Sequence, residues 1–192
     1  MIPTDGFEHV EVASRAELRD WLAANHLRTD SVWLVRYKQS MPAKYVGRLD
    51  LLDELLCFGW VDGIARKLDS ERTMQLISPR RQQAWAQWYK DRAAVLEAEG
   101  RMTPPGRAAI ERSKALGLWD AYAAIDALVV PEDLSTALAR EPPAQVYFAE
   151  TPPSYRRNLL RWVDQAKRAQ TRARRVAAIV EACAAHRRIP QM

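Results

Sequence analysis

The sequence predicts an α+β fold: a small antiparallel three-stranded sheet carrying helices in the N-terminal half, followed by a helical C-terminal half. Three observations predict it. The stretch SVWLVRYK (residues 31–38) alternates, with Trp33, Val35 and Tyr37 on one face and Val32, Leu34, Arg36 and Lys38 on the other, which is the period of a strand. The segments IARKLD and RTMQLIS flank a short polar turn at Ser70 and Glu71, the pattern of a β-hairpin. From SPRRQQAW onward, apolar residues recur only at three- and four-residue steps, the period of helices. The expected organisation is an α+β subdomain over residues 1–100 and a helical subdomain over 101–192, packed as one compact unit.

Taken in order, Ser14 with Glu17 forms a capping-box pattern, and Leu18, Trp21 and Leu22 follow at helical spacing. Strand 31–38 comes next. Asp50 is placed to cap a second helix, whose Leu52, Leu55, Leu56 and Gly59 share a stripe. That helix runs into ELLCFGWVDG (residues 54–63), which reads as a helix-to-strand corner: Gly59 permits close packing, Trp60 seals the sheet edge, and Asp62-Gly63 turns the chain. In the hairpin, Ile64 and Leu68, or Met74 and Leu76, face inward. A third helix carries Trp85, Trp88, Tyr89, Arg92, Val95 and Leu96 and stops at Gly100. Thr103 followed by Pro104 starts the next, which ends at Gly117. Further helices span 131–140 and 142–149, and residues 154–185 form one long helix or two in sequence.

Composition excludes several classes. Hydrophobic residues at 48% and charged residues at 28% suit a globular protein, not a disordered one. No stretch approaches the roughly 20 apolar residues that span a bilayer, and the N-terminus lacks the basic start and apolar block of an export signal. The expected compartment is the cytoplasm. Cys57 and Cys183 are too few for a disulfide scaffold and read as buried reduced thiols. Histidines 9, 26 and 186 are scattered, so neither a metal site nor a cofactor is expected, and no phosphate-binding or nucleophile motif is present.

Three groups of residues are candidate sites. Arg80 and Arg81, just before a helix start, form a candidate site for a small anion, weighed against ordinary solvated arginines. Trp60, Asp62 and Trp85 outline an aromatic and acidic pocket, with Trp88 a further member of a tryptophan cage; a turn carboxylate among core aromatics is the simpler reading. Asp50, Asp53 and Glu54 read as charges complementing a helix dipole. The last group comes from charge asymmetry: residues 156–192 carry ten Lys or Arg against Asp164 and Glu181, a balance of +8, while the rest of the chain is −3. On one continuous helix Arg157, Arg161, Arg168, Arg172 and Arg175 fall within about 60° of one another, a basic ridge suited to nucleic acid or an acidic protein partner. The opposite face is mostly alanine, so membrane insertion is not expected. No residue pair has acid-base spacing, and no catalytic residue is assigned.

The segments VWLVRYK, ELLCFGWVDG, SPRR with Trp85, LEAEGRMTPPG and PPSYRRNLLRWVDQAKRAQTRARR, in that order and over nearly the whole chain, resemble the YdeI/OmpD-associated, or bacteriocin-protection, family. The resemblance departs at one point: where the family shows W-S-x-x-N, this chain has Trp85, Ala86, Gln87, Trp88 and Tyr89. It implies a non-enzymatic binding protein in envelope or antimicrobial-peptide stress tolerance, acting through an anionic partner or ligand. The alternatives are a sequence-nonspecific nucleic-acid binder using the basic ridge, and an enzyme on an anionic small molecule held by Arg80 and Arg81. Oligomeric state is not legible in the sequence.

Overall fold

The computed structural model describes residues 6–189. The chain divides into two compact units, Met1–Ala121 and Tyr122–Met192.

The first unit is built on a four-stranded sheet in the order β1 (His9–Val12), β2 (Val32–Tyr37), β4 (Arg72–Pro79), β3 (Trp60–Lys67). This corrects the three-stranded expectation. β1 is only four residues, HVEV, too short to stand out in the sequence. It pairs parallel to β2, with Val10 opposite Leu34, so the sheet is mixed rather than antiparallel throughout. The β2–β4 and β3–β4 pairings are antiparallel. Helix α1 (Arg15–Asn25) starts as its capping pattern requires: the Ser14 hydroxyl accepts the Glu17 N–H at 3.1 Å, and the Glu17 carboxylate accepts the Ala13 N–H at 2.8 Å. Helix α2 (Arg48–Cys57) is preceded by Gly47, not capped by Asp50, which lies in its first turn. Val10, Val12, Val32, Leu34 and Ile77 on one sheet face join Leu18 and Leu22 of α1 and Leu51, Leu55 and Leu56 of α2 in one core.

The corner between α2 and β3 turns earlier than the sequence suggested. Gly59, at φ +72°, makes the turn, and β3 has begun by Trp60; Asp62 and Gly63 are strand residues. The register slips between Asp62 and Ala65, a bulge that spoils the inward alternation expected of Ile64 and Leu68, both exposed. In β4 it is Gln75 and Ile77 that are buried, not Met74 and Leu76. A Cβ on Gly59 would lie 2.7 Å from the Ala109 Cβ, and one on Gly106 only 2.2 Å from the Cys57 carbonyl oxygen. Two glycines therefore let helix α4 (Pro104–Ala115) press against the end of α2. Helix α3 (Gln87–Ala98) also packs on α2 and ends with Gly100 at φ +68°.

One charge cluster ties these helices together. Asp53 and Glu54 on α2 are each 1% exposed. Arg92 of α3 grips Asp53 with two bonds of 2.6 and 2.7 Å. Arg15 of α1 reaches Glu54 at 2.7 Å and Asp50 at 2.6 Å. Arg19 takes the other Glu54 oxygen at 2.7 Å, and Arg101 bridges both acids at 3.2 and 3.3 Å. The dipole role read from the sequence is thus superseded for Asp53 and Glu54. They are the buried centre of an arginine clasp joining α1, α2, α3 and the segment after α3.

The second unit is helical: α5 (Ala123–Asp126), α6 (Glu132–Ala139), α7 (Pro142–Glu150), α8 (Pro153–Asp164) and α9 (Ala169–Ala184). Its core gathers Leu134, Leu138, Phe148, Leu159, Leu160, Val163, Val176 and Ile179. The long basic segment is broken between α8 and α9, and Arg168 at the start of α9 has an extended backbone. No proline or glycine marks the break. Packing supplies the reason: a separate α9 can lay Val176, Ile179 and Cys183 into the core beside Phe148, Leu159 and Val163. Among the described residues no helix is long and apolar enough to cross a membrane.

Replacing Asp53 with Asn leaves several guanidiniums without their shared carboxylate, so Asp53→Asn should destabilise the first unit by about 3 kcal/mol or more. Arg15→Ala, whose side chain is 36% exposed, should cost no more than about 1 kcal/mol. Urea denaturation of both variants checks this, and equal small losses would show that the clasp contributes little.

Candidate anion-binding site

Alternation along β2 places Arg36 on the same face as Val32 and Leu34, the face buried against the helices. Asp62 of β3 lies opposite Ile77 on that face, and Gln75 of β4 lies opposite Leu34. The covered face of the sheet therefore ends in polar groups. Burial pulls the Arg36 guanidinium below its ordinary value, and Arg48 adds to this while Tyr45 and Asp62 oppose it. One Arg36 nitrogen donates to the Val46 carbonyl at 3.0 Å, but its Nε is buried without an acceptor.

Arg80 follows β4 and is 2% exposed. Its main chain is pinned on both sides: its N–H donates to the Gly59 carbonyl at 2.9 Å, and its carbonyl accepts from Arg112 at 2.8 Å. The guanidinium lies 4.2 Å from the Trp85 ring centroid and 5.4 Å from that of Tyr89, within cation–π range of both. Its one side-chain hydrogen bond is a long 3.5 Å contact to the Gln83 carbonyl, and its Nε is buried without a partner. No carboxylate among the described residues bonds to it. Burial pulls its pKa down to about 10, opposed by Tyr89 and Asp62, so it remains charged at neutral pH.

Tyr89 completes the group. Its hydroxyl donates to Asp62 Oδ1 at 3.1 Å, and burial, then Asp62, push its pKa up. Arg48 acts on both Tyr89 and Arg36 from the first turn of α2, where it is exposed and makes no ion pair among the described residues. Arg80, Tyr89 and Asp62 are thus joined by direct contacts, and the charges of Arg36 and Arg48 bear on this group from around it. Such a site can attract and orient an anion, because guanidiniums offer forked donors and hold their charge.

The residues singled out in the sequence divide between this corner and other places. Arg80 belongs to it, but Arg81 is exposed and donates to the Thr29 carbonyl at 2.6 Å, so the two neighbouring arginines serve different partners. The N–H groups of Arg81 and Gln82 are taken by the Gln83 side chain, and α3 starts only at Gln87. The tryptophans pair with three different rings: Trp60 edge-on to Trp21 at 5.5 Å, Trp85 with Trp119 at 4.9 Å, and Trp88 edge-on to Tyr89 at 5.0 Å. Trp60 and Trp85 are core residues at 1% exposure, and Trp88 is half-exposed. Arg36, Arg48, Tyr45 and Tyr89 were missed as site residues. The signal was present for Arg36, a charged residue in register with buried valine and leucine.

A groove of about 420 Å³ lies between α3 and α4, floored by Ala93, Ala94, Ile110 and Trp119. Its rim charges are answered locally by Lys90–Asp120, Lys114–Glu111 and Arg107–Glu97 pairs. It offers no uncompensated charge, so we place the site at Arg80. Among the described residues no group of three or more His, Cys, Asp or Glu is arranged to hold a metal. Both cysteines are free and buried, and burial pushes the Cys57 thiol up to about 11.

In the second unit the basic ridge is not formed, because its five arginines do not share one helix. Arg157 and Arg161 lie on α8, Arg168 precedes α9, and Arg172 and Arg175 lie on α9. Arg161 pairs with Asp126 at 3.1 Å, and Arg172 clamps Asp133 with bonds of 2.6 and 2.9 Å. Arg175 donates to the Trp162 carbonyl in the last turn of α8 and stacks on the Trp162 ring at 5.3 Å, satisfying a carbonyl the helix end leaves open.

Comparison with known families divides the chain at nearly the same place as its fold. Residues 10–109 match the model of a domain of unknown function (DUF8412), and residues 127–186 match the family described as bacteriocin-protection, YdeI or OmpD-associated. The family resemblance read across nearly the whole sequence is therefore carried by the C-terminal region, while the N-terminal motifs belong to the other match. No curated protein and no solved structure matches the chain. With just over half its length matched, the chain belongs to the DUF8412 family, and its C-terminal region carries the domain of the bacteriocin-protection, YdeI or OmpD-associated family.

Proposed function

We propose that this chain is a binding protein that holds an anionic ligand or partner at Arg80 of its first unit, with the charges of Arg36 and Arg48 adding to the attraction, in a role linked to bacteriocin protection. One observation carries the binding reading: Arg80 is 2% exposed yet has no carboxylate partner and keeps a buried Nε unbonded. A buried charge left unpaired is costly, and an incoming anion removes that cost. The corner favours binding over proton transfer, because its cations stay charged at neutral pH. The link to bacteriocin protection rests on the description of the family matched by residues 127–186. Two unpaired thiols support the cytoplasm as the compartment. The nucleic-acid reading rested on a continuous ridge and loses that support at the break between α8 and α9.

Phosphate or sulfate should raise the melting temperature above that in chloride of equal ionic strength. Saturation at about 100 times the dissociation constant should add roughly 2.7 kcal/mol. Arg36→Met should weaken the effect at least about tenfold, the scale of one hydrogen bond to a charged group. Identical melting in phosphate and chloride would refute an anion site. Independently, a strain lacking the gene should show raised sensitivity to bacteriocins; unchanged sensitivity would remove the protective role and leave the binding site standing.

A further inference from the structure

We infer that the groove between α3 and α4 binds a small, uncharged, planar aromatic molecule, independently of the anion site. Shape is the first reason. Helices α3 and α4 both pack on α2, and the space of about 420 Å³ between them is floored by Ala93, Ala94, Ile110 and Trp119, a volume within the range of small-molecule sites. Two ion pairs cross from α3 to the α4 side. Arg107 grips Glu97 through two nitrogens at 2.8 to 3.0 Å, and Lys90 reaches Asp120, just beyond Trp119, at 2.9 Å. Between Lys90 and Glu97, α3 rises only about 11 Å, at about 1.5 Å per residue. A partner helix, itself about 10 Å across, cannot lie along a slot barred at that spacing. A molecule of one or two fused rings fits between the bars.

Charge is the second reason. Lys90 pairs with Asp120, Arg107 with Glu97 and Lys114 with Glu111, so the rim is neutral as it stands. An ionic ligand must break one of these pairs or leave its own charge unanswered over an apolar floor. An uncharged ring does neither. The lining also favours an aromatic ring over an aliphatic one. The ammonium groups of Lys90 and Lys114 lie 5.4 and 5.6 Å from the Trp119 ring centroid, and the π-face of an electron-rich ligand attracts such groups in the same way without displacing their carboxylates. Ala93 and Ala94 carry only a methyl group each, which leaves room for a flat ring beside the indole of Trp119. That indole is held in place before any ligand arrives: the Trp119 N–H donates to the Ser113 carbonyl at 3.2 Å, and its ring leans at 4.9 Å on Trp85, whose Nε1 donates to the Ser113 hydroxyl at 2.8 Å.

The test is calorimetric titration of the full chain, at low and high salt, with indole, its anionic analogue indole-3-acetate and its cationic analogue tryptamine. Indole should bind with an affinity that salt does not lower, and neither charged analogue should bind more tightly. Ala94 is exposed, so Ala94→Phe should keep the native melting temperature while its own ring fills the groove and indole binding is lost. In the native chain, ring currents from bound indole should shift the methyl resonances of Ala93 and Ala94, a readout that does not depend on the variant folding. Absence of indole binding overturns the inference, and so does tighter binding of either charged analogue. Indole binding that leaves both methyl resonances unmoved, or that persists undiminished in Ala94→Phe, places the molecule elsewhere and overturns it too. None of these outcomes bears on the response to phosphate.

Discussion

A charge taken out of water must be answered, and in the first unit that constraint organises both stability and function. Asp53 and Glu54 are buried and answered by Arg15, Arg19, Arg92 and Arg101, drawn from separate elements. Because two acids serve four arginines, no helix of the group can move without exposing or stranding a charge. Arg80 is the reverse case. It is as deeply buried, its backbone is held on both sides, and its charge faces aromatic rings instead of a carboxylate. The same unit thus satisfies one set of buried ions completely and leaves another open. That contrast marks the Arg80 corner as a place kept for something else, since a fully answered cluster evidently lies within reach of this fold.

The second unit shows why abundance of charge is a poor guide to a binding surface. Its C-terminal segment holds most of the chain's excess positive charge, yet several of its arginines do local structural work. Arg172 clamps Asp133 in the first turn of α6, Arg161 holds Asp126 at the end of α5, and Arg175 closes the end of α8. Guanidiniums suit these tasks, with forked donors for carboxylates and a flat face for stacking on tryptophan. Arg157 lies on α8 and Arg168 precedes α9, so no shared helix places them on a common face.

Much of the fold was legible because local signals and tertiary packing agreed. The Ser14–Glu17 cap, the alternation in Val32–Tyr37, the hairpin, and the glycine at 100 each fixed an element in its place. Where they disagreed, the sequence misled. Strand β1 has only HVEV to announce it and depends on β2 for pairing. The bulge after Asp62 disguised a strand as a turn, and the α8–α9 break carries no breaker residue, being set by the burial of Val176 and Ile179. The candidate site was half legible for the same reason. Arg80 could be picked from SPRR, but Arg36, Arg48, Asp62 and Tyr89 come from two strands and two helices far apart in sequence, and only the folded chain relates them to it.

The most direct measurement is the melting temperature of Arg80→Met with and without phosphate. Methionine fills a similar length, keeps a favourable contact with Trp85 through its sulfur, and removes a buried unpaired charge. The account predicts a variant as stable as the native chain or more so, and indifferent to phosphate. A variant that melts several degrees lower and still responds to phosphate would show that Arg80 is a structural residue and that the site lies elsewhere.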